Sequence, residues 1–242
     1  MPTIAFVSPK GGVGKTTSAF LLASIFARLC EVTIIDADPN HPIETWALGG
    51  NAPEKLKIVS DVDEETIIDR IEDAASKTPI VIVDLEGTAS KTVIYAISQA
   101  DFVVIPTQGS QLDANEASRA IRVVLQSEKL TGKPKPYAVL LTRTSPMIRA
   151  RGLTHIQNSL IAAGIPVLET ELNERDAFKA VFAFRQTLDG LNPAEVSNLD
   201  KAKGNVESLA REILTKLQAH LQGEQGGRDR EKTDNNSVAG AA

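Results

Sequence analysis

The chain has 242 residues, 42% apolar and 24% charged, which suits one large α/β domain, or two small ones, with a substantial buried core. A net charge of −5 excludes a wholly basic nucleic-acid binder and leaves only a local basic patch for such contacts. The single cysteine, Cys30, excludes an intrachain disulfide and cannot alone build a cysteine-ligated metal site, while His41, His155 and His220 match no metal-ligand spacing.

Taken in chain order, short apolar runs alternate with helical patterns. The first run, TIAFV (3–7), follows Met1-Pro2 directly; with no signal peptide and no apolar stretch of membrane-spanning length, a cytoplasmic location is expected. SAFLLASIFARLC (18–30) carries Arg28 as its one charge and predicts a helix buried against a sheet. VTII (32–35), IVIV (80–83), FVVI (102–105) and YAVLL (137–141) read as parallel strands covered on both faces, and PVLE (166–169) is a weaker strand candidate. DANEASRAIRVVLQSE (113–128) puts Ala117, Ala120, Ile121, Val124 and Leu125 on one face and predicts an amphipathic helix capped by Asp113. NVESLAREILTKLQAHLQG (205–223) predicts a final amphipathic helix. There is no internal repeat and no domain break. The pattern predicts one doubly wound, mostly parallel α/β domain over 1–222, with helices on both faces, and a disordered polar tail over 223–242.

Between the first strand and the first helix lies SPKGGVGKTT. Strand, glycine loop, Gly-Lys-Thr and helix is the context of a phosphate-binding P-loop. Gly11, Gly12, Val13 and Gly14 would turn backbone amides around phosphate oxygens, and the helix N-terminus adds its dipole there. Lys15 would neutralise the β- and γ-phosphates, the Thr16 hydroxyl would ligate Mg²⁺, and Thr17 would lie near the α-phosphate. Pro9 stands where the strict pattern has its first glycine. Two further segments leave strand ends, where ligands sit in open α/β sheets. IIDADPN supplies Asp36 and Asp38, although Asp-Pro-Asn is also ordinary turn chemistry. IVIVDLEG ends in Asp84, in the manner of a Walker B carboxylate holding a Mg²⁺-bound water.

The stretch KGGVGKTT resembles the deviant Walker A motif of the ParA/MinD family of ATPases, and the resemblance extends over residues 3 to about 222. DADPNHPIETWA and LNERDAFKAVFAFRQTLDG are similar to segments of short partition ATPases of the ParF type, and the ERDAF segment is shared with VirC-type ATPases that promote conjugal DNA transfer. The resemblance implies a P-loop NTPase that uses ATP and Mg²⁺. It implies that Lys10 reaches across an ATP-dependent homodimer to the partner's phosphates, that Asp38 orients the attacking water, and that Asp36, Thr16 and Asp84 serve the metal. The family more often has Thr-Pro after the Walker B aspartate; here Leu85-Glu86-Gly87 follows, and Glu86 is read equally as supporting the site or as exposed. The loop after Thr142 and the segment 173–176 are implied to approach the base.

Short members of this family are implied to bind double-stranded DNA non-specifically in the ATP state, to associate with the nucleoid, and to be stimulated by a cargo-bound adaptor protein. Arg143, Arg149, Arg151, Lys179 and Arg185 are the candidate DNA contacts, with Lys201 and Lys203 beyond them; such backbone contacts are sequence-independent and salt-sensitive. The alternative is a membrane-cycling ATPase of the MinD type. The balanced polar face of the last helix (Glu207, Arg211, Glu212, Lys216) argues against it, and no membrane partner is expected.

Overall fold

The computed structural model describes residues 1–87, 90–147 and 151–239; for 111–114, 151 and 223–239 the backbone alone is described. Among these residues, seven parallel strands form one sheet: β1 (Thr3–Phe6), β2 (Val32–Ala37), β3 (Leu56–Val59), β4 (Ile80–Leu85), β5 (Phe102–Thr107), β6 (Tyr137–Thr144) and β7 (Leu172–Asn173). Their spatial order is β3-β2-β4-β1-β5-β6-β7. The two edge strands are short and were not among the expected runs. PVLE is not a named strand, and only Val167 makes a bridge, to Val139.

Successive strand residues face opposite sides of the sheet. Ile4, Phe6, Ile34, Ile82, Val104 and Leu140 enter one core. Ala5, Val7, Ile35, Val81, Val83, Val103, Val139 and Leu141 enter the other. Both faces are apolar, which is why the strands read as continuous runs rather than as alternation. The first core is closed by α1 (Lys15–Phe26), α2 (Pro42–Ala47), α7 (Asp176–Ala183) and α8 (Leu199–Ala239). The second is closed by α3 (Ile67–Lys77), α4 (Lys91–Gln99), α5 (Gln111–Thr131) and α6 (Arg151–Ala162). The doubly wound α/β architecture expected from the alternation is therefore present.

Helix α1 is buried along nearly its whole length, as the uncharged run from Ser18 to Phe26 predicts. Helix α5 begins at Gln111, so Asp113 lies inside it rather than before it. Helix α8 buries Val206, Leu209, Ile213 and Leu217 against the first core. That stripe is not available to a lipid surface. The backbone of α8 runs through residue 222, where the polar tail was expected to start, and is described to Ala239. Among the described residues no helix is long and apolar enough to cross a membrane.

Helix α2 is bolted at both ends. At its start, Asp36 at the end of β2 accepts hydrogen bonds from the amides of Ile43 (2.8 Å) and Glu44 (3.0 Å). Near its end, the Trp46 indole Nε1 donates to the carbonyls of Val181 (3.0 Å) and Gln186 (3.3 Å), and its ring packs on Phe20 with centroids 4.3 Å apart.

Candidate functional site

The site lies at the carboxyl ends of β1, β2, β4, β5 and β6. The loop after β1 carries Gly12 at φ 74° and Gly14 at φ 94°, the left-handed region that glycine enters without a Cβ clash. Gly14 is the N-cap of α1 and supplies no side-chain cap, so the first amides of the helix stay directed into the loop, where an anion is favoured. A Cβ placed on Gly11 or Gly12 would meet nothing within 4 Å, so this side of the loop is open. Lys10 is half-buried and Lys15 is buried. The Lys15 Nζ lies 3.6 Å from where a Cβ on Gly87 would sit, which places the ammonium beside the segment that follows β4. The side chains of Gln108 and Thr142 grip the loop from the next two strands: Gln108 Nε2 donates to the Gly12 carbonyl at 3.1 Å, and Thr142 Oγ1 to the Val13 carbonyl at 2.7 Å.

The β2·β4 register sets Asp36 beside Asp84, both fully buried. Burial pushes the Asp84 carboxyl up to about 7; the Thr16 hydroxyl and the Lys15 ammonium act against that, and the carboxylates of Asp36 and Asp38 add to it. Thr16 faces Asp84 without closing a hydrogen bond of normal geometry, and among the described residues neither Asp84 oxygen has a hydrogen-bond partner. Burial also raises Asp36, against the amides of Glu44 and Ile43. Asp36 is expected from the sequence to hold the Mg²⁺ shell or its waters; its Oδ2 is committed to α2, and its Oδ1 has no hydrogen-bond partner among the described residues.

These orphaned oxygens, next to a threonine hydroxyl, fit a hydrated Mg²⁺, which takes oxygen ligands and retains several waters. Among the described residues no group of three or more His, Cys, Asp or Glu side chains forms a metal cage of its own.

Asp38 is half-buried in the turn after β2. Its Oδ1 accepts from the Asn40 amide and from Asn40 Nδ2, both at 2.9 Å. Asp38 and His41 line a cleft with Asp63, Glu64, Glu86 and Thr92. Glu86 therefore shares a cleft with Asp38 rather than pointing away from the site.

On the other side of the loop, a cavity of about 120 Å³ runs from Gly14 and Thr17 past Thr142 and Arg143 to Asn173, Arg175 and Phe178. It contains the segments that were expected to approach a base. Arg143 adopts φ 53° where the β6·β7 register shifts. Asn173 is held by two hydrogen bonds that it donates, one from its Nδ2 to Thr144 Oγ1 (2.9 Å) and one from its backbone amide to the Asn205 side-chain Oδ1 (3.0 Å). Two candidate DNA contacts, Arg143 and Lys179, line this cavity, and Lys179 also pairs with Glu174 at 3.1 Å. Arg185 is separate, exposed at the joint between α7 and the turn at 49–51. Arg149 lies outside the described residues, as does the side chain of Arg151, which opens α6.

Sequence reasoning missed the roles of Gln108 and Thr142. Their signal was a polar residue placed just past, or at the end of, an otherwise apolar parallel strand.

Comparison with known proteins gives a consistent picture. The chain is 38% identical to the protein ParA of Rhizobium radiobacter over 218 residues, which is 90% of this chain and 98% of that protein. It is 30% identical to VirC1 of Rhizobium rhizogenes over 187 residues, 75% of this chain and 80% of that protein. Its fold matches that of Cyanothece McdA(D38A) in complex with ATP, with a TM-score of 0.72 and 18% identity, covering 88% of this chain and 96% of that one. The model of the VirC1 protein family matches residues 1–201. The chain thus belongs to the VirC1 family, among the ParA-type partition ATPases, and shares their seven-stranded fold.

Proposed function

We propose that this protein binds Mg-ATP in the loop 10–17, closes as a nucleotide-sandwiching homodimer, binds DNA without sequence preference in that state, and hydrolyses ATP when an adaptor protein on its cargo stimulates it. The observation that carries the reading is the meeting of an uncapped helix N-terminus and Lys15 with two buried aspartates whose free oxygens have no protein partner. Bound Mg²⁺ would neutralise phosphate charge and lower the cost of the Asp36–Asp84 pair.

The amides of residues 11–14 and Lys15 hold the phosphates, Thr17 sits towards the base cavity, and Thr16, Asp36 and Asp84 orient the metal's water shell. Asp38, its Oδ1 held by Asn40, keeps an oxygen to orient the attacking water. Lys10 acts on the nucleotide of the partner subunit. Arg143 and Lys179 belong first to the nucleotide cavity, so DNA contacts fall chiefly to Arg149, Arg151 and Arg185, doubled by dimerisation. A cargo of DNA is part of this proposal, and the protein would work in the cytoplasm, on the nucleoid.

Binding to random-sequence duplex DNA by the Asp38→Ala protein tests this. Binding with Mg-ATP but not with ADP, falling steeply with salt, is the expected result. Absence of binding in both nucleotide states would remove DNA from the mechanism.

A further inference from the structure

A peptide unit is planar and trans, so its C=O and N–H point in opposite directions. Fixing a carbonyl outward therefore fixes the following amide inward. In the phosphate loop two consecutive carbonyls are fixed this way from outside. The Gly12 carbonyl accepts from Gln108, one residue past β5, and the Val13 carbonyl accepts from Thr142 in β6. The amides on the other side of these two peptide units are those of Val13 and Gly14.

We propose that Gln108 and Thr142 are positioning residues that aim the Val13 and Gly14 amides into the phosphate site, so that nucleotide affinity is set from the ends of β5 and β6. The loop needs such restraint. Gly12 and Gly14 lack side chains to limit rotation of the intervening peptides, and open space surrounds Gly11 and Gly12. Thr142 suits the task because it is 2% exposed and sits directly under the loop: its Cβ is 3.9 Å from the point a Cβ on Gly14 would occupy. Its hydroxyl also reaches the Thr107 carbonyl at 3.1 Å, but the Val13 contact is the shorter. Without that donor, the Val13 carbonyl is left unsatisfied in a buried spot and gains by turning towards the solvent side, which carries the Gly14 amide away from the phosphates.

The inference rests on the reading of the loop as a nucleotide site. Its test titrates the full chain with a fluorescent ADP analogue and Mg²⁺, for wild type, Thr142→Val, Thr142→Ser and Gln108→Leu, beside thermal melts and steady-state ATPase rates. Thr142→Val and Gln108→Leu should each weaken binding roughly fivefold, the equivalent of one lost hydrogen bond, and Thr142→Ser should return to within about twofold of wild type. The loss should appear in KM more than in kcat. A purely structural role would lower the melting temperature without this selective loss of affinity or its rescue by serine, and that pattern would overturn the proposal. If Thr142→Val does not fold, the half-buried Gln108 decides: wild-type affinity in Gln108→Leu refutes the clasp. A wild-type chain that binds no nucleotide overturns the nucleotide reading itself, and the clasp with it.

Discussion

The glycine loop after β1 and the turn that carries Asp38 are two segments of the candidate site, and they are held in opposite ways. The loop is gripped by side chains from two other strands, 96 and 129 residues away in sequence. Asp38 is held by its own neighbour, Asn40, two residues along. A loop held from distant strands is restrained by tertiary contacts that any rearrangement must break. The Asp38 turn adds the bond from the His41 amide to the Asp38 carbonyl (2.9 Å), and these ties span no more than three residues. On the function proposed above, the nucleotide-binding half of the site is tied to the sheet, while the hydrolytic half is tied locally.

Three variants break or sharpen this contrast. The largest effect belongs to Lys15→Ala, which removes a buried cation from the preformed half. ATP affinity should fall roughly a thousandfold or more, as expected when a buried charge loses its partner, and isothermal titration would read it. A loss under about tenfold would mean that the loop amides suffice without the lysine.

Asp38→Ala should act on the other half alone. Hydrolysis should fall by about two to three orders of magnitude, the range for a positioned acid–base group, with ATP affinity retained. Single-turnover kinetics at saturating ATP separate the two quantities. Equal losses in both would show that the turn is part of the binding framework after all.

The third effect is smaller at each step and concerns Asp84. Its carboxyl titrates near 7 in the folded chain, against an ordinary value of 3.8. Between those values the folded state holds a proton that the unfolded state has lost, so stability in metal-free buffer should fall as pH rises, by roughly 1.4 kcal/mol per pH unit at most. Asp84→Asn should flatten that slope. Denaturant melts in EDTA from pH 4.5 to 8 would show it, and a wild-type slope of the opposite sign would place the buried proton elsewhere.

Much of the site could be read from local sequence because its chemistry is local. KGGVGKTT, the strand-terminal Asp36 and Asp84, and the five inner strands each announce themselves within ten residues. The edge strands did not. LKIV in β3 has one face only partly buried, and β7 is two residues long, so neither forms an apolar run. Three other features escaped for a different reason. The clasp by Gln108 and Thr142 requires β1, β5 and β6 to lie side by side. The capture of one Asp36 oxygen by α2 requires that helix to fold back onto its own strand. The cavity shared by Arg143 and Lys179 requires β6 and α7 to meet across the P-loop. All three depend on strand order and packing, which no single window of sequence contains.

Trp46, whose indole ties α2 to the end of α7, is the chain's only tryptophan. Its emission therefore originates from a single point, the joint between the segment that follows Asp38 and the helix that walls the cavity beside Gly14. The molecule carries its own optical gauge of whether those two parts move together, readable in a stopped-flow instrument without a label.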